Sequence, residues 1–391
     1  MRVKGFQAGG VAAGLKKTGE PDFGLLYSRV PASVAGVFTQ NRVQAAPVIL
    51  SRERAGAGTG QAVAVNSGCA NCSTGEQGMA DAEAMARMTA QALGISESSV
   101  LVASTGVIGQ YLKMDKIEAA VPPLAKSLAE DGWPDLARAI MTTDTVPKTL
   151  TRTVAFGESA CKITGVAKGA GMIRPDMATM LCFAATDAAI APELLQQMLA
   201  SACDASFNHI TIDGDTSTND TVLLFANGQS GVEIGDSGAV DAFQAELTGL
   251  LTELAKMMVK DGEGATKLVT VQVSGAESSA AARQVADTVA NSVLVKTAIF
   301  GEDANWGRIL AAAGRAGVPI LPGKIDIYFD DVRLVQNGGH AGPDAEMRAS
   351  KVLKQPEFQI TIDLNMGGHG DFVWTCDFSI DYVKINADYR S

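Results

Sequence analysis

The sequence predicts a layered α/β protein, in which stacked β-sheets are sandwiched between helices. Strand-like and helix-like segments alternate loosely along its 391 residues. Residues 180–185 form an uninterrupted apolar run, which is typical of a strand buried on both faces. The C-terminal part, 325–384, is mostly strand-like. This mixture favours packed sheets with a helical cover over a doubly wound parallel sheet.

The individual elements follow from periodicity and from the residues that start or stop them. Residues 61–66 and 100–103 are apolar and each predict a strand. Between them, Ser73 and Glu76 have the spacing of a capping box, with Ser73 as the N-cap of a helix that ends at Gly94. The remaining predicted elements are a hairpin at 149–166 and helices at 192–206, 239–258 and 278–290.

The composition argues against several classes of partner. The chain has 43 acidic and 32 basic side chains and a net charge of −11, whereas nucleic acids and anionic membranes attract basic surfaces. It contains no run of about 18 apolar residues, the length that a membrane-spanning helix needs. Its first residues also lack the apolar run of a secretory signal. We therefore expect a cytoplasmic protein that binds neither nucleic acid nor membranes.

The metal-binding and redox motifs are incomplete. Cys69 and Cys72 form a C-x-x-C pair, but a zinc site of this kind needs a second pair. We therefore interpret the six cysteines as free thiols. Residues 213–220 resemble a calcium loop, but Thr218 and Leu224 stand at loop positions six and twelve, where an EF-hand needs glycine and glutamate. A self-hydrogen-bonded polar turn and a Mg²⁺ or substrate site both stay open for this segment.

Residues 168–182 carry the strongest chemical signal. A Gly- and Pro-rich turn leads to Thr179 at the start of the buried strand. Thr179 is either a β-branched strand residue or an N-terminal nucleophile. In the second interpretation its hydroxyl attacks the carbonyl of Ala178, and hydrolysis of the resulting ester frees the α-amine of Thr179. That amine has a reference pKa of about 7.7–8, so it can accept the hydroxyl proton without a histidine.

The segment 168–182 resembles the ornithine acetyltransferase family of arginine biosynthesis, whose members include bifunctional glutamate N-acetyltransferases. The likeness covers the whole chain, so it is far more specific than any one motif. Further segments that resemble the family are 65–71, 74–78, 104–109, 142–145, 213–220, 295–298, 300–303, 305–308 and 385–391.

The resemblance implies a role for each matching residue. Cleavage between Ala178 and Thr179 would make Thr179 the nucleophile. Thr105 and Gly106 would form the oxyanion hole. The implied substrate-binding residues are Thr142, Lys168, Thr179, Glu263, Asn386 and Ser391.

Without the family resemblance, several of these residues also fit ordinary structural roles. Residues 104–109 also suit an ordinary strand-ending turn, and Glu263 suits a solvated loop. Asn386 and Ser391 suit a frayed tail. By charge alone, Lys168 fits an α-carboxylate and Glu263 fits an ammonium group.

The resemblance also implies a reaction and an assembly. The fold would be self-processing and N-terminal-nucleophile-like, with an α chain at 1–178 and a β chain at 179–391, paired as a heterotetramer. N2-acetyl-ornithine would acetylate Thr179 and release ornithine, and glutamate would then accept the acetyl group. No metal or redox cofactor is implied, and acetyl-CoA stays open as a further acetyl donor.

Two other functions compete with this one. A related self-cleaving aminopeptidase would use water or an amine as acceptor, but such relatives usually carry serine where this chain has Thr179. A non-catalytic metabolite-binding protein on the same scaffold would not need Thr179 together with Thr105 and Gly106. The sequence therefore favours the acetyltransferase.

Overall fold

The computed structural model describes residues 2–174 and 180–387 of the chain. Within this part the chain forms two compact units. The first unit comprises Met1–Asn208 and Asp215–Met258, and the second comprises His209–Gly214 and Val259–Ser391.

A large mixed sheet forms the frame of the first unit. The strands of this unit are, in chain order, β1 (Phe6–Val11), β2 (Phe23–Phe38), β3 (Thr59–Cys69), β4 (Val100–Val107), β5 (Lys148–Phe156), β6 (Ser159–Lys168), β7 (Leu181–Thr186), β8 (Ala189–Ile190), β9 (Thr221–Ala226) and β10 (Glu233–Ile234). The large sheet has the order β4-β3-β2-β9-β7-β6-β5, and β1 pairs with β2. Strands β3 and β4 are parallel, as are β7 and β9. Strands β8 and β10 form a small parallel pair.

Helices cover this sheet because both of its faces are apolar. Successive side chains of a strand point to opposite faces. Val63 and Val65 accordingly belong to one buried cluster together with Trp133, whereas Ala62 belongs to another together with Met85. The helices of the unit are α1 (Ala46–Ala55), α2 (Gly75–Leu93), α3 (Met114–Ser127), α4 (Trp133–Ala139), α5 (Pro192–Asp204) and α6 (Ser237–Lys260).

The second unit has a mixed sheet of its own. Its strands are β11 (Leu268–Ala276), β12 (Asp326–Phe329), β13 (Val332–Gln336), β14 (Gly339–His340), β15 (Glu357–Asp363) and β16 (His369–Cys376), in the order β14-β13-β12-β15-β11-β16. Its helices are α7 (Ser279–Ala290), α8 (Val293–Phe300), α9 (Trp306–Gly314), α10 (Pro343–Val352) and α11 (Ile380–Ala387). The predicted layered α/β class is therefore confirmed.

Most of the predicted elements are present. The apolar run 180–185 corresponds to β7, in which every residue is buried between β6 and β9. The hairpin predicted at 149–166 is the antiparallel pair β5 and β6. The three helices predicted downstream correspond to α5, α6 and α7. In α7 the N-cap Ser278 accepts a hydrogen bond from the Ala281 amide at 3.1 Å.

The capping box predicted at Ser73 is wrong. The helix α2 begins at Gly75, and its N-cap is Thr74, which makes no side-chain capping bond. Ser73 has a φ of 57°, whereas an N-cap residue normally has an extended backbone. The hydroxyl of Thr74 donates instead to Asn71 Oδ1 at 2.8 Å, so the preceding loop uses it. The predicted stop at Gly94 is confirmed by its φ of 69°.

Two helices interrupt the strands of the C-terminal part. Residues 325–384 contain β12 to β16 as expected, but also α10 and the beginning of α11. In α10 only Ala349 and Val352 are buried, and α11 has no buried residue. Both helices therefore bury little of their surface, and neither was predicted from the sequence. Within the described ranges, no helix is long and apolar enough to cross a membrane.

Candidate active site

Thr105 and Gly106 lie near the C-terminal end of β4, beside the parallel strand β3. Gly106 has a φ of 129°. A Cβ atom on it would lie 2.4 Å from the carbonyl carbon of Gly68 and 2.6 Å from the nitrogen of Cys69. Only glycine therefore fits this approach of the two backbones. The strand ends at Val107 and a turn follows at 108–109, so the segment 104–109 does contain a strand-ending turn.

Lys168 is the last residue of β6, and it lies opposite Leu181 at the start of β7. Its residue exposure is 2%, and that of Thr105 is 3%. Lys168 Nζ donates a hydrogen bond to Thr105 Oγ1 at 3.3 Å, across a sequence separation of 63 residues. The fold therefore brings together a predicted substrate-binding residue and a predicted oxyanion-hole residue.

Asp144, which was not a predicted site residue, connects one more predicted residue, Thr142, to this group. Its carboxylate accepts hydrogen bonds from the backbone amides of Gly169 at 2.7 Å and Thr142 at 3.1 Å. It also lies 2.8 Å from Lys148 Nζ, in an ion pair whose two side chains are fully buried. Asp144 thus fixes the backbone at Thr142 and next to Lys168. In the sequence, this ion pair is indicated by the four-residue spacing between Asp144 and Lys148.

The charge of Asp144 is maintained by its neighbours. Burial alone would raise the pKa of this carboxyl group, because the charged form loses its hydration. The positive charges of Lys168 and Lys148 and the hydrogen bonds from Lys148 and Gly169 outweigh that effect, and the pKa falls to about 2. Asp144 is therefore ionised at any working pH.

Asp220 holds the residue that follows Thr179 in the chain. Its Oδ1 accepts the Met180 amide hydrogen at 3.0 Å, and the neighbouring Thr221 amide donates to the Met180 carbonyl at 3.1 Å. Asp220 is fully buried, and this burial raises the pKa of its carboxyl group well above the usual range. In the sequence, Asp220 is visible only as one member of the polar segment 213–220.

Replacing Asp220 with asparagine should change how stability depends on pH. A raised pKa means that the folded chain holds the proton more tightly than the unfolded chain. Folding stability should therefore fall as pH rises from the unfolded value of about 3.9 towards the folded pKa. Asparagine cannot release a proton, so the stability of D220N relative to the parent should improve over this range.

Urea unfolding at a series of pH values would measure this difference. Both chains should carry Thr179→Ala, so that the predicted self-cleavage cannot alter one of them alone. Parallel pH profiles for the two chains would show that folding does not raise the pKa of Asp220.

The polar segment 213–220 uses Asn219 as a cross-link within the first unit. Its side-chain amide donates to the carbonyl oxygens of Ala70 at 2.7 Å and Ser104 at 2.8 Å. Its backbone amide donates to Ser217 Oγ at 3.0 Å, which is a self-hydrogen-bonded turn. Among the residues that the structure describes, no three His, Cys, Asp or Glu side chains are grouped to hold a metal ion. These contacts favour the polar-turn interpretation.

Two predicted substrate-binding residues meet in the second unit. Glu263 is 8% exposed, and its Oε2 accepts a hydrogen bond from Asn386 Nδ2 at 2.7 Å. The loop of Glu263 packs tightly on α11, because a Cβ atom on Gly264 would lie 2.6 Å from the Tyr382 nitrogen. Glu263 is therefore not a solvated loop charge.

Some predicted residues lie outside the described part of the chain. They are Ala178 and Thr179, at the predicted cleavage site, and Ser391 in the predicted substrate site. The nucleophile and the division into chains 1–178 and 179–391 therefore stay predictions. The two compact units do not test that division, because a cleaved bond does not have to coincide with a unit boundary.

The cysteines are buried free thiols, as the sequence predicts. Cys69 Sγ donates to the carbonyl oxygen of Gln110 at 3.2 Å. Burial raises the pKa of the Cys69 thiol and thus lowers its reactivity. The C-x-x-C pair, Cys69 and Cys72, contains no disulfide.

The layered α/β fold places Thr105, Lys168 and Asp144 in one buried polar group beside Gly106, an arrangement that suits the active site of an enzyme. The sequence model of the ArgJ family matches residues 7–391, and the chain belongs to that family. The resemblance inferred from the motifs is thereby confirmed.

Curated relatives match the chain over its full length. The arginine biosynthesis bifunctional protein ArgJ of Geobacter sulfurreducens is 52% identical over 394 residues and covers 100% of both chains. The protein of the same name from Syntrophotalea carbinolica is 52% identical over 395 residues, again with 100% coverage of both chains.

Two solved structures match part of the chain. The crystal structure of the bifunctional protein ArgJ from Bacillus halodurans is 38% identical, covers 51% of this chain and 95% of its own, and has a TM-score of 0.49. Ornithine acetyltransferase from Mycobacterium tuberculosis, complexed with ornithine, is 39% identical, covers 44% of this chain and 92% of its own, and has a TM-score of 0.41.

Proposed function

We propose that this chain transfers the acetyl group of N2-acetyl-ornithine to glutamate, as a step of arginine biosynthesis. The observation that carries the proposal is membership of the ArgJ family over residues 7–391. The name shared by the full-length relatives, arginine biosynthesis bifunctional protein, places the activity in that pathway. The buried contact between Lys168 and Thr105 supports the location of the site.

The reaction proceeds through an acetyl-enzyme. The Thr179 hydroxyl attacks the acetyl carbonyl while the Thr179 α-amine accepts its proton. The oxygen of the resulting tetrahedral intermediate carries a negative charge, which Thr105 and Gly106 stabilise. The C–N bond then breaks, the proton passes to the leaving nitrogen, and ornithine departs. The α-amine of glutamate attacks acetyl-Thr179 by the reverse route and gives N-acetylglutamate.

The substrates are recognised by charge. N2-acetyl-ornithine has an α-carboxylate and a side-chain ammonium, but its α-nitrogen is neutral because it is acetylated. Glu263 therefore binds the side-chain ammonium, and Asn386 holds Glu263 in place. Lys168, Thr142 and Ser391 complete the proposed substrate-binding set.

Replacing Glu263 with glutamine should weaken acetyl-ornithine binding more than glutamate binding. A hydrogen bond to a charged group contributes about 1.5–3 kcal/mol, which corresponds to a loss of roughly 10- to 150-fold in affinity. The two half-reactions, measured separately on cleaved protein, would give each affinity. Glu277→Gln is the matched control, since Glu277 is an exposed acid of the same unit. Equal losses for both substrates would contradict the ammonium role.

A transfer assay tests the proposed function directly. Acetyl-ornithine and glutamate together should give equal amounts of ornithine and N-acetylglutamate. Glutamate with acetyl-CoA, in a separate reaction, shows whether acetyl-CoA is a second donor. Release of ornithine and acetate without N-acetylglutamate would identify a hydrolase of the aminopeptidase type. Binding without turnover would identify a non-catalytic protein.

The proposal includes an assembly and a location. The α chain, 1–178, and the β chain, 179–391, come from one precursor and pair as a heterotetramer in the cytoplasm. The chemistry requires no metal or redox cofactor, because a hydroxyl group and an amine carry out the acyl transfer. Light scattering together with the masses of the separated chains would test the assembly.

A further inference from the structure

We propose that Lys168 is a positioning residue of the oxyanion hole, which acts through the hydroxyl of Thr105 and is supported by Asp144. The inference deepens the proposed function and rests on it. The resemblance implies only that Lys168 binds substrate. The contacts inside the first unit assign it a second task, which concerns the transition state rather than substrate affinity.

The hydrogen bond between Lys168 and Thr105 has a defined direction. An ammonium group can only donate, whereas a hydroxyl group has one proton and two acceptor lone pairs. Thr105 Oγ1 therefore accepts from Lys168 Nζ, at 3.3 Å, and keeps its own proton for another acceptor. The lysine thus orients the Thr105 hydroxyl group so that its proton points away from Nζ and can be donated to another group. A hydroxyl that accepts from a cation is also a stronger donor, because hydrogen bonds in a chain polarise one another.

Burial increases the electrostatic effect of this pair. Both residues are almost fully buried, so water screens the ammonium charge only weakly. A negative charge that forms one hydrogen bond beyond Thr105 would be stabilised by this fixed cation. The oxyanion of acyl transfer is such a charge, and it exists only in the transition state and the intermediate. Lys168 should therefore affect turnover more than ground-state binding.

Asp144 keeps the lysine available for this role. A buried ammonium is costly unless an opposite charge is near, and the Asp144 carboxylate interacts with Lys168 and with Lys148. Asp144 also binds the Gly169 amide, next to Lys168 in the chain. Together Lys168, Lys148 and Asp144 contribute one net positive charge, which a transient oxyanion can balance.

An acetyl donor without a carboxylate separates the two tasks of Lys168. p-Nitrophenyl acetate offers an acetyl carbonyl but neither a carboxylate nor an ammonium. Its release of p-nitrophenolate, with the acetyl group mapped to Thr179 by peptide mass spectrometry, measures acylation alone. With cleaved Lys168→Met, the maximal acylation rate should fall about 10- to 100-fold, somewhat less than for direct loss of an oxyanion donor. Lys162→Met is the matched control, because Lys162 is an exposed residue of the same strand.

A double-variant cycle tests whether Lys168 acts through Thr105. Lys168→Met should slow the Thr105→Ala variant by a much smaller factor than it slows the wild type, because most of the effect of the lysine passes through the hydroxyl that this variant lacks. Fully additive losses would overturn the proposal. So would an unchanged acylation rate in Lys168→Met combined with a raised KM for acetyl-ornithine, since Lys168 would then serve only the substrate carboxylate.

Asp144→Asn provides a second route if Lys168→Met fails to fold or cleave. It preserves the shape of the side chain but removes its charge, and it should also slow acylation by p-nitrophenyl acetate. An unchanged rate in the cleaved variant would refute the supporting role of Asp144. Wild-type protein that reacts with the ester but gives no N-acetylglutamate would refute glutamate as the acceptor, whereas the acylation rates of the variants would still decide the role of Lys168.

Discussion

Replacing Thr179 with alanine is expected to leave the chain whole and to abolish acetyl transfer. Alanine has no hydroxyl group, so the N-to-O shift onto the Ala178 carbonyl cannot begin. Without cleavage there is neither a free α-amine at residue 179 nor a nucleophile for the acetyl group. The wild-type protein should give two bands on a denaturing gel, with masses corresponding to 1–178 and 179–391, and the variant should give one.

Thr179→Ser is the control for this experiment. Serine keeps the hydroxyl group and loses only a methyl group, so it should still cleave and transfer acetyl, although at a different rate. A cut at any other bond would contradict the assignment of the nucleophile. Full activity in an uncut chain would contradict the whole self-processing scheme, because an internal threonine has no α-amine to act as base.

Elements whose signal is local were predictable from the sequence. The strand β7 is buried on both faces, so its residues read as one continuous apolar run. The helix α2 ends at Gly94 because a left-handed residue is needed there, and glycine adopts that conformation at low cost. In both cases the residue type and the local conformation have the same physical cause.

Elements whose signal depends on tertiary contacts were not predictable. The pair Ser73 and Glu76 has the spacing of a capping box, but the loop before α2 uses Thr74 and Asn71 in bonds of its own. Such competition for a hydroxyl group is invisible in a linear pattern. Within α11 no residue is fully buried and Tyr382 alone is partly buried, so the helix has no buried face to produce a periodic signal.

In the candidate site, too, some features were predictable from the sequence and others depend on tertiary contacts. The family resemblance identified Thr105, Gly106 and Lys168 as separate site residues. Only the fold shows that Lys168 donates a hydrogen bond to Thr105. Asp144 and Asp220 were overlooked because a carboxylate in a polar sequence looks the same whether it is solvated or buried. Their opposite pKa shifts follow from their surroundings: two lysines stabilise the charge of Asp144, whereas burial dominates at Asp220.

Thr105→Ala is expected to reduce the turnover of acetyl transfer by roughly 10²- to 10³-fold, the usual cost of losing one oxyanion-hole donor. The KM for acetyl-ornithine should change little, because the donor acts on a charge that is absent from the bound substrate. Kinetics on cleaved protein would give both constants.

Two further variants separate the hydroxyl group of Thr105 from its bulk. Thr105→Val keeps the branched shape, which matters in a side chain that is 3% exposed, and should be about as slow as Thr105→Ala. Thr105→Ser keeps the hydroxyl that accepts from Lys168 and should recover most of the activity. If Val were active and Ser were not, packing rather than hydrogen bonding would explain the requirement for Thr105. Normal turnover in cleaved Thr105→Ala would remove this side chain from the oxyanion hole and leave the backbone at Gly106 as the remaining predicted donor.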